Sequence, residues 1–273
     1  MRLKTALRVT YPATIPIVIG DCPFTFLVYV FKYCTKYSYL VINNPISNHN
    51  ILMLMTQTSP EEYDQIIDCT IPKYRQLIDE CLDVVLHSGV EVKDWVDVGA
   101  GTGNMVMVAR EKFPDTKYVL LDLSKDMLAL AKFKLGDANM RYVWGSSDNM
   151  GLMDSSADVV TCIQSNHYYD DAGHANVLSE CYRILRPGGI LVTTENVGAR
   201  TEYGRMIQRS RLRDFLLKNG RDEVEAELFL DRYGVEYKPR SVDEHIRLLE
   251  EAGFHDVEVF WVSSSQIGLS ATR

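Results

Sequence analysis

The chain has 273 residues, a length that suits one large α/β domain with an extension and is too short for two large domains. Hydrophobic residues make up 46% and charged residues 24%, the usual composition of a soluble globular protein. The formal net charge of −8 argues against a protein whose whole surface binds a nucleic-acid backbone, although it leaves room for a local basic patch.

The six cysteines indicate reduced thiols. They include no CxxC pair and no Cys/His cluster with zinc spacing, and the histidines lack metal spacing as well. We therefore expect a cytoplasmic protein without a metal site.

Residues 1–54 differ in character from the rest of the chain. The segment 15–42 is apolar and aromatic, but it lacks helical or alternating periodicity and the run of about 20 apolar residues that a membrane helix needs. It could be a membrane anchor, a family-specific lid or translation from upstream of the true start. We favour the last interpretation because Met53 and Met55 precede a clear helix start, and we expect no membrane association. Function is therefore expected to reside in residues 55–273.

From Ser59 onward the pattern predicts two helices separated at Pro72, followed by strands that alternate with helices. Ser59 is a capping residue before a proline and two acids, which is typical of a helix start. The predicted strands are 93–98, 117–122, 140–144, 157–163, 189–195, 256–263 and 266–272. The predicted later helices are 103–113, 124–135, 173–185, 203–218 and 241–252.

This order of elements predicts an α/β fold. Five strands separated by helices imply right-handed crossovers and a parallel sheet. The short serine-rich connection between the last two strands predicts an antiparallel hairpin at the sheet edge. We expect a Rossmann-like sheet of seven strands, mostly parallel, with helices on both faces.

A glycine-rich loop, DVGAGTGN at 97–104, ends the first strand of this sheet and opens a helix. Gly99 and Gly101 allow backbone torsions and a close ligand approach that a Cβ would forbid, at the sheet edge where open α/β folds bind ligands. The spacing is neither the GxGxxG of dinucleotide-binding proteins nor a GxxxxGK[ST] phosphate loop. Asp122, at the end of the next strand, suits a ribose diol because one carboxylate can accept two hydroxyl groups. Its charge would repel the 2′-phosphate of NADP.

Four segments resemble, in order and spacing, the successive motifs of class I S-adenosylmethionine-dependent methyltransferases: VDVGAGTGNM, LLDLSKDML, DSSADVVTCIQSNHYY and ECYRILRPGGILVTTE. The resemblance covers roughly residues 90–200 and implies S-adenosyl-L-methionine as cofactor and a small-molecule methyl acceptor. Ser146 stands where the family usually has an aspartate near the adenine, and Asp148 could compensate for it. The cofactor-binding residues that it implies are Asp97, Gly99, Ala100, Gly101, Gly103, Asp122, Leu123, Met127, Ser147, Asp148 and Gln164.

Two flanking segments, 63–78 and the tail from Ser241, are similar to carboxy-S-adenosylmethionine synthases, which remake the cofactor instead of transferring its methyl group. Tyr74 matches a tyrosine that reaches the bound cofactor in that family. Two features depart from its pattern. The glycine loop is of the ordinary methyltransferase type, and Arg232 is out of register with the arginine that binds the extra carboxylate. A cofactor-remodelling enzyme therefore stays an alternative.

Candidate catalytic residues lie at the ends of the fourth and fifth sheet strands. His167, in the loop after the fourth, has the unperturbed pKa of a general base, and its alternative is a packing role that holds the loop. Glu195, at the end of the fifth, could orient an amine or hydroxyl acceptor, and a structural role is equally open.

Residues 200–240 are expected to form a substrate-recognition insert. Arg205, Arg209 and Arg213 recur at every fourth residue and form one stripe on a predicted helix. A solvated helix face is the ordinary interpretation. The functional alternative is a site for an anionic substrate or for tRNA phosphates, which makes a tRNA-modifying methyltransferase a third hypothesis. The sequence does not indicate an oligomeric state.

Overall fold

The computed structural model describes residues 27–33, 36–42 and 59–273. In the first two ranges, strand β1 (Leu27–Tyr33) pairs with strand β2 (Lys36–Ile42) in a separate antiparallel sheet. The sequence of 15–42 has no alternating periodicity, so these two strands were not predicted. The rest of the segment 1–54, with the three interpretations proposed for it, lies outside the described residues.

A seven-stranded sheet is the centre of the fold, in the order β5-β4-β3-β6-β7-β9-β8. Strands β3 to β7 run parallel, whereas β9 is antiparallel to both β7 and β8. The predicted parallel sheet with a C-terminal antiparallel hairpin is confirmed. The strands are β3 (Asp94–Val98), β4 (Lys117–Asp122), β5 (Met140–Trp144), β6 (Ala157–Ile163), β7 (Leu185–Asn196), β8 (His255–Ser263) and β9 (Gln266–Thr272).

Helices cover both faces of this sheet, as predicted. Helices α1 to α4 pack around Trp95 and Leu120 on one face, and α5 and α8 pack around Val160 and Leu191 on the other. Within the described ranges, no helix combines the length and apolar character required to cross a membrane. The helices are α1 (Pro60–Thr70), α2 (Tyr74–His87), α3 (Asn104–Lys112), α4 (Lys125–Leu135), α5 (Asp171–Ile184), α6 (Glu202–Lys218), α7 (Glu223–Leu230) and α8 (Val242–Glu251).

Local side-chain contacts explain the helix boundaries. The Ser59 hydroxyl accepts the Glu62 N–H at 3.2 Å, and the Glu62 carboxylate accepts the Ser59 N–H at 3.1 Å, which closes a capping box at the start of α1. The predicted break at Pro72 falls between α1 and α2. Asp170 caps α5 by accepting the Gly173 N–H at 2.9 Å, so this helix begins two residues before the predicted 173.

The region 200–240 contains two helices that pack on each other, α6 and α7, around the buried side chains of Leu212, Leu216, Ala226 and Leu230. Only α6 was predicted. The sequence signal for α7 is the pair Asp222 and Glu225, which form a second capping box.

Gly103, which caps the start of α3, shows how tightly the glycine loop packs on α4. Its φ is +79°, and a Cβ there would lie 2.7 Å from Leu135 Cδ1, whereas a Cβ at Gly101 (φ +54°) would meet no atom within 4 Å. We predict that Gly103→Ala lowers the free energy of unfolding by about 2–4 kcal/mol, because steric overlap adds to the cost of a positive φ. Gly101→Ala adds no steric overlap, so it should lower the free energy of unfolding by only about 1 kcal/mol, the cost of its positive φ. Urea unfolding of both variants measures the difference, and equal losses would contradict the predicted packing.

Candidate active site

A cleft lies at the carboxyl end of β3, between the glycine loop and helices α1 and α2. Its position at the carboxyl ends of parallel strands is where α/β folds bind small molecules. The cleft brings together five residues of the predicted cofactor set with others that the sequence did not single out. It is lined by Tyr63, Tyr74, Ile78, Asp97, Gly99, Ala100, Gly101, Thr102, Asn104, Met105 and Ile163.

Asp122 joins the end of β4 to the glycine loop. One carboxylate oxygen accepts the Gly101 N–H at 2.7 Å, and the other accepts the Ser124 N–H at 2.7 Å. Burial raises the pKa of Asp122, and the backbone N–H groups of Ser124, Gly101 and Leu123 oppose that rise. A carboxylate has about four acceptor positions, so this one can accept further hydroxyl groups after both backbone bonds are made.

Leu123 and Met127 continue from Asp122 toward β5. The Leu123 carbonyl accepts the Trp144 indole N–H at 2.9 Å, and the Lys125 ammonium lies 4.0 Å from the centre of the Trp144 ring. The Met127 N–H donates to the Ser124 hydroxyl at 3.3 Å and so belongs to the cap of α4. Trp144 is thus a positioning residue for the turn after Asp122, and the sequence reading missed it.

The loop after β5 contains the residues predicted at the adenine edge. The Ser146 hydroxyl donates to the Asp148 carboxylate and lies 3.4 Å from the Tyr169 hydroxyl, and Ser147 is buried beside them. Ser146 and Asp148 therefore act as one hydrogen-bonded pair at this position. Contact of Ser147 and Asp148 with adenine stays a prediction.

Asp97 is buried at the base of the cleft. Its carboxylate accepts the Thr161 hydroxyl at 2.7 Å, and that hydroxyl oxygen accepts the Trp95 indole N–H at 2.9 Å. Burial raises the pKa of Asp97 to about 7, the Thr161 hydrogen bond opposes the rise, and the charge of Asp122 adds to it. Since a nearby cation favours the ionised form, Asp97 is placed to respond to a positively charged ligand.

Asp64 and Lys134 form a part-buried ion pair that holds α1 against the glycine loop. The Lys134 ammonium donates to the Asp64 carboxylate at 2.7 Å and to the Asn104 side-chain carbonyl at 2.8 Å. Asp64 also accepts the Thr102 hydroxyl at 2.5 Å and the Asn104 amide at 3.2 Å. The adjacent Tyr63 lines the cleft, so this contact places the roof of the site. Neither charged residue belongs to a sequence motif that could have identified it.

Gln164 follows Ile163 at the end of β6, with a φ of +53°. Its side-chain amide nitrogen donates to the Thr194 hydroxyl at 3.3 Å, and its backbone N–H donates to the same oxygen at 3.0 Å. The side-chain carbonyl oxygen is buried without a hydrogen-bond partner. A buried acceptor that lacks a donor is costly, so Gln164 is suited to bind a ligand that donates to it.

His167 is buried in a cluster of rings. Its ring centre lies 4.6 Å from that of Tyr168 and 5.0 Å from that of Tyr237, and its backbone carbonyl accepts the Lys238 N–H at 2.7 Å. Burial, helped by Arg232 and neighbouring charged groups, lowers the pKa of His167 to about 3. An imidazole of such low pKa is a weak base at pH 7, which favours the packing role over the catalytic one.

Glu195 is buried on the face of β7 opposite to Thr194. Its carboxyl group lies 2.9 Å from the Thr193 hydroxyl oxygen, which also lies 3.0 Å from the Cys162 carbonyl oxygen. One hydroxyl hydrogen serves only one of these acceptors. A protonated Glu195 supplies the second hydrogen, and burial does raise the pKa of Glu195 to about 8. Neither Glu195 nor His167 is among the described residues that line the cleft, and their catalytic roles stay predictions.

The arginine stripe of α6 is paired with acids inside the chain. Arg205 pairs with Glu202, and Arg209 pairs with Glu227 and Asp231. Arg213 pairs with Glu223 and Glu227. This neutralisation favours the ordinary interpretation of the stripe as a solvated helix face.

No group of three or more His, Cys, Asp or Glu residues in the described ranges is placed to hold a metal ion. The described cysteines are free thiols.

The glycine loop lies within a segment that matches a known protein family. A family model described as "Methyltransferase domain" matches residues 96–193, which run from β3 into β7. Residues 96–193 therefore form a methyltransferase domain of the class I S-adenosylmethionine-dependent type. This methyltransferase domain has the S-adenosylmethionine-binding fold that the motif resemblance implied.

Two relatives show how the chain compares with named enzymes. Carboxy-S-adenosyl-L-methionine synthase from Helicobacter hepaticus is 23% identical over 211 residues, which are 74% of this chain and 87% of that enzyme. Demethylmenaquinone methyltransferase from Chlorobaculum parvum is 27% identical over 171 residues, which are 60% of this chain and 67% of that enzyme.

Among solved structures, human N-acetylserotonin methyltransferase in complex with S-adenosylmethionine is similar in fold. Its TM-score is 0.52 at 15% identity, and the match covers 90% of this chain and 79% of that one. At this identity the likeness concerns the fold alone.

The contact between Asp64 and Lys134 generates a prediction about cofactor affinity. We predict that Asp64→Ala weakens binding of S-adenosylhomocysteine about tenfold, since a part-buried charge-assisted contact contributes about 1.5–3 kcal/mol and holds the Tyr63 side of the cleft. Isothermal titration calorimetry measures the affinity.

The matched control is Asp68→Ala on the same helix. Asp68 pairs with Arg75 at 2.6 Å, but both side chains are exposed, so its loss should have little effect on affinity. Equal affinities of the two variants would show that α1 does not form the roof of the cofactor site.

Proposed function

We propose that the cleft binds S-adenosyl-L-methionine and that the enzyme transfers its methyl group to a small-molecule acceptor by in-line displacement. The observation that carries the proposal is the Asp122 carboxylate, which accepts the N–H of the cleft-lining Gly101 and retains acceptor positions for a ligand. The cofactor supplies an activated methyl group on a sulfonium sulfur, so the chain has to bind, orient and exclude water.

The residues present fit this cofactor. Asp122 can accept a ribose diol, for which its free acceptor positions are suited. Asp97 and the unpartnered Gln164 carbonyl offer one acidic and one neutral acceptor for the ammonium group at the methionine end. Tyr63 and Tyr74, held over the glycine loop, would cover the site from α1 and α2.

Whether methyl transfer needs a general base depends on the acceptor. A base is needed only if the accepting atom carries a proton at neutral pH. The low pKa of His167 and the buried, protonated Glu195 do not favour either group as that base. Both pKa values agree with an acceptor that needs no base and reacts once it is correctly oriented toward the methyl group.

A cofactor-remodelling enzyme is the second candidate, because carboxy-S-adenosyl-L-methionine synthases match up to 80% of this chain and Tyr74 lines the cleft. Arg232 does not favour it, since its guanidinium already pairs with Glu236 at 2.8 Å. Mass spectrometry of the ligand that copurifies with the protein separates the two, because a carboxylated cofactor is heavier by the mass of CO₂.

We predict that Asp122→Ala weakens binding of S-adenosylmethionine at least about 100-fold, since hydrogen bonds to a charged group contribute about 1.5–3 kcal/mol each. Asp126→Ala, in the exposed first turn of α4, is the control and should bind normally. Titration calorimetry measures both, and normal binding by the Asp122 variant would reject the proposed cofactor site.

The raised pKa of Asp97 predicts a pH dependence. Without ligand, Asp97 is largely protonated below pH 7, and a cationic ligand requires its ionised form. Affinity for S-adenosylmethionine should therefore fall about tenfold per pH unit below pH 7 and level off above pH 8, with proton release on binding at pH 6.

Calorimetry in two buffers of different ionisation enthalpy measures the released proton. Asp97→Asn should bind more weakly and without this pH dependence. The same dependence in the Asn variant would assign the titration to another group.

A further inference from the structure

Two buried glutamine side chains at the carboxyl edge of the sheet each have a polar atom without a partner. They are Gln164, after β6, and Gln266, at the start of β9. Their relative exposures are 8% and 3%, and in both the unpartnered atom is the side-chain carbonyl oxygen. Buried acceptors normally have donors, so these two mark a place that a ligand can satisfy.

Strand register puts Gln164 next to a residue that lines the cleft and puts Gln266 two strands away on the same face of the sheet. Ile163, which lines the cleft, pairs with Thr194 of β7, and Thr194 pairs with Gly268 of β9. Gln266 precedes Gly268 by two residues, so it points to the same face. Gln164 bonds directly to Thr194. Gln164, Thr194 and Gln266 together form what we name the polar floor.

An aromatic wall, which we define as Tyr168, Phe229, Tyr233 and Tyr237, stands next to this floor. Ring centres of Tyr168 and Tyr237 are 5.3 Å apart, and those of Tyr233 and Tyr237 are 5.1 Å apart. The wall meets the floor at Ser265, which lies beside Tyr233 and accepts the Gln266 amide N–H at 3.4 Å. Flat aromatic surfaces favour planar ligands that stack or meet them edge to face.

The charge at the wall is balanced. The Arg232 guanidinium lies 4.4 Å from the centre of the Tyr237 ring and pairs with Glu236 at 2.8 Å. The Glu236 side chain is only 5% exposed, so the ion pair is held inside the protein. A bound anion would therefore find no uncompensated cation at the wall, which disfavours the anionic acceptor that the sequence suggested.

We propose that the polar floor and the aromatic wall form the acceptor subsite and that it takes a neutral, planar aromatic compound with an O–H or N–H group. The aromatic ring contacts the wall, and the O–H or N–H donates to the free carbonyl oxygen of Gln266, whereas the Gln164 carbonyl is assigned to the ammonium group of the cofactor. This inference rests on the proposed function, because it names the acceptor class of the same site.

Binding of three naphthalene probes to the full chain, saturated with S-adenosylhomocysteine, tests the subsite. 1-Naphthol offers a ring and an O–H donor, naphthalene lacks the donor, and 1-naphthoate is an anion. We expect 1-naphthol to bind at least about tenfold more tightly than the other two, because a site built for a hydroxyl rejects ligands that leave it unpaired. Fluorescence of the naphthyl ring measures the three affinities.

Gln266→Leu should weaken 1-naphthol binding about tenfold without changing the affinity for S-adenosylhomocysteine. Gln76→Leu, at an exposed position of α2, is the matched control. Equal affinities of these two variants for 1-naphthol would overturn the role of the floor. If the Gln266 variant does not fold, the order of the three probes on the unaltered chain decides.

The two proposals fail in different ways. Normal S-adenosylhomocysteine affinity with no preference for 1-naphthol would overturn the acceptor subsite alone. Absence of S-adenosylhomocysteine binding would overturn the proposed cofactor site first.

Discussion

The hydrogen bond from the Gly101 N–H to the Asp122 carboxylate organises the site. It connects the loop after β3 to the end of β4, and these two strands are neighbours in the sheet. Because the Ser124 N–H holds the other carboxylate oxygen, the acid is oriented before any ligand arrives. A preoriented acceptor loses little conformational entropy on binding, so a ribose diol would meet a carboxylate that is already in place. The other contacts of the site extend outward from this bond.

The roof of the cleft and most of the aromatic wall come from segments outside residues 96–193. Asp64 attaches α1 to the glycine loop through Lys134, and the insert holds the loop after β6 through Lys238 and Arg240. In the proposed function, the matched core would supply the cofactor contacts, and the flanking helices and the insert would supply the surfaces that an acceptor meets. This division agrees with relatives that share the core but carry names for different reactions.

The sequence was most informative where structure is local. Buried strands, the glycine loop and Asp122 are marked by runs and turns within a few residues, and the sheet followed from their order. Asp64 and Lys134 are 70 residues apart in the chain, so no local pattern indicates their contact. Glu195 shows a second limit. Its place at a strand end predicts a position at the sheet edge. Successive side chains of β7 point to opposite faces, however, so Thr194 lies on the face of the cleft and Glu195 on the other face. Gln266 shows a third, because only the register of β7 and β9 relates it to the cleft.

A crystal structure of the chain grown with S-adenosylhomocysteine tests the central claim most directly. We expect the ribose hydroxyls to lie within hydrogen-bond distance of the Asp122 carboxylate, about 3 Å, with the Gly101 bond retained and the amino-acid end of the ligand beside Asp97. A ligand bound elsewhere, or an Asp122 carboxylate that contacts only Gly101 and Ser124 in the presence of ligand, would contradict it.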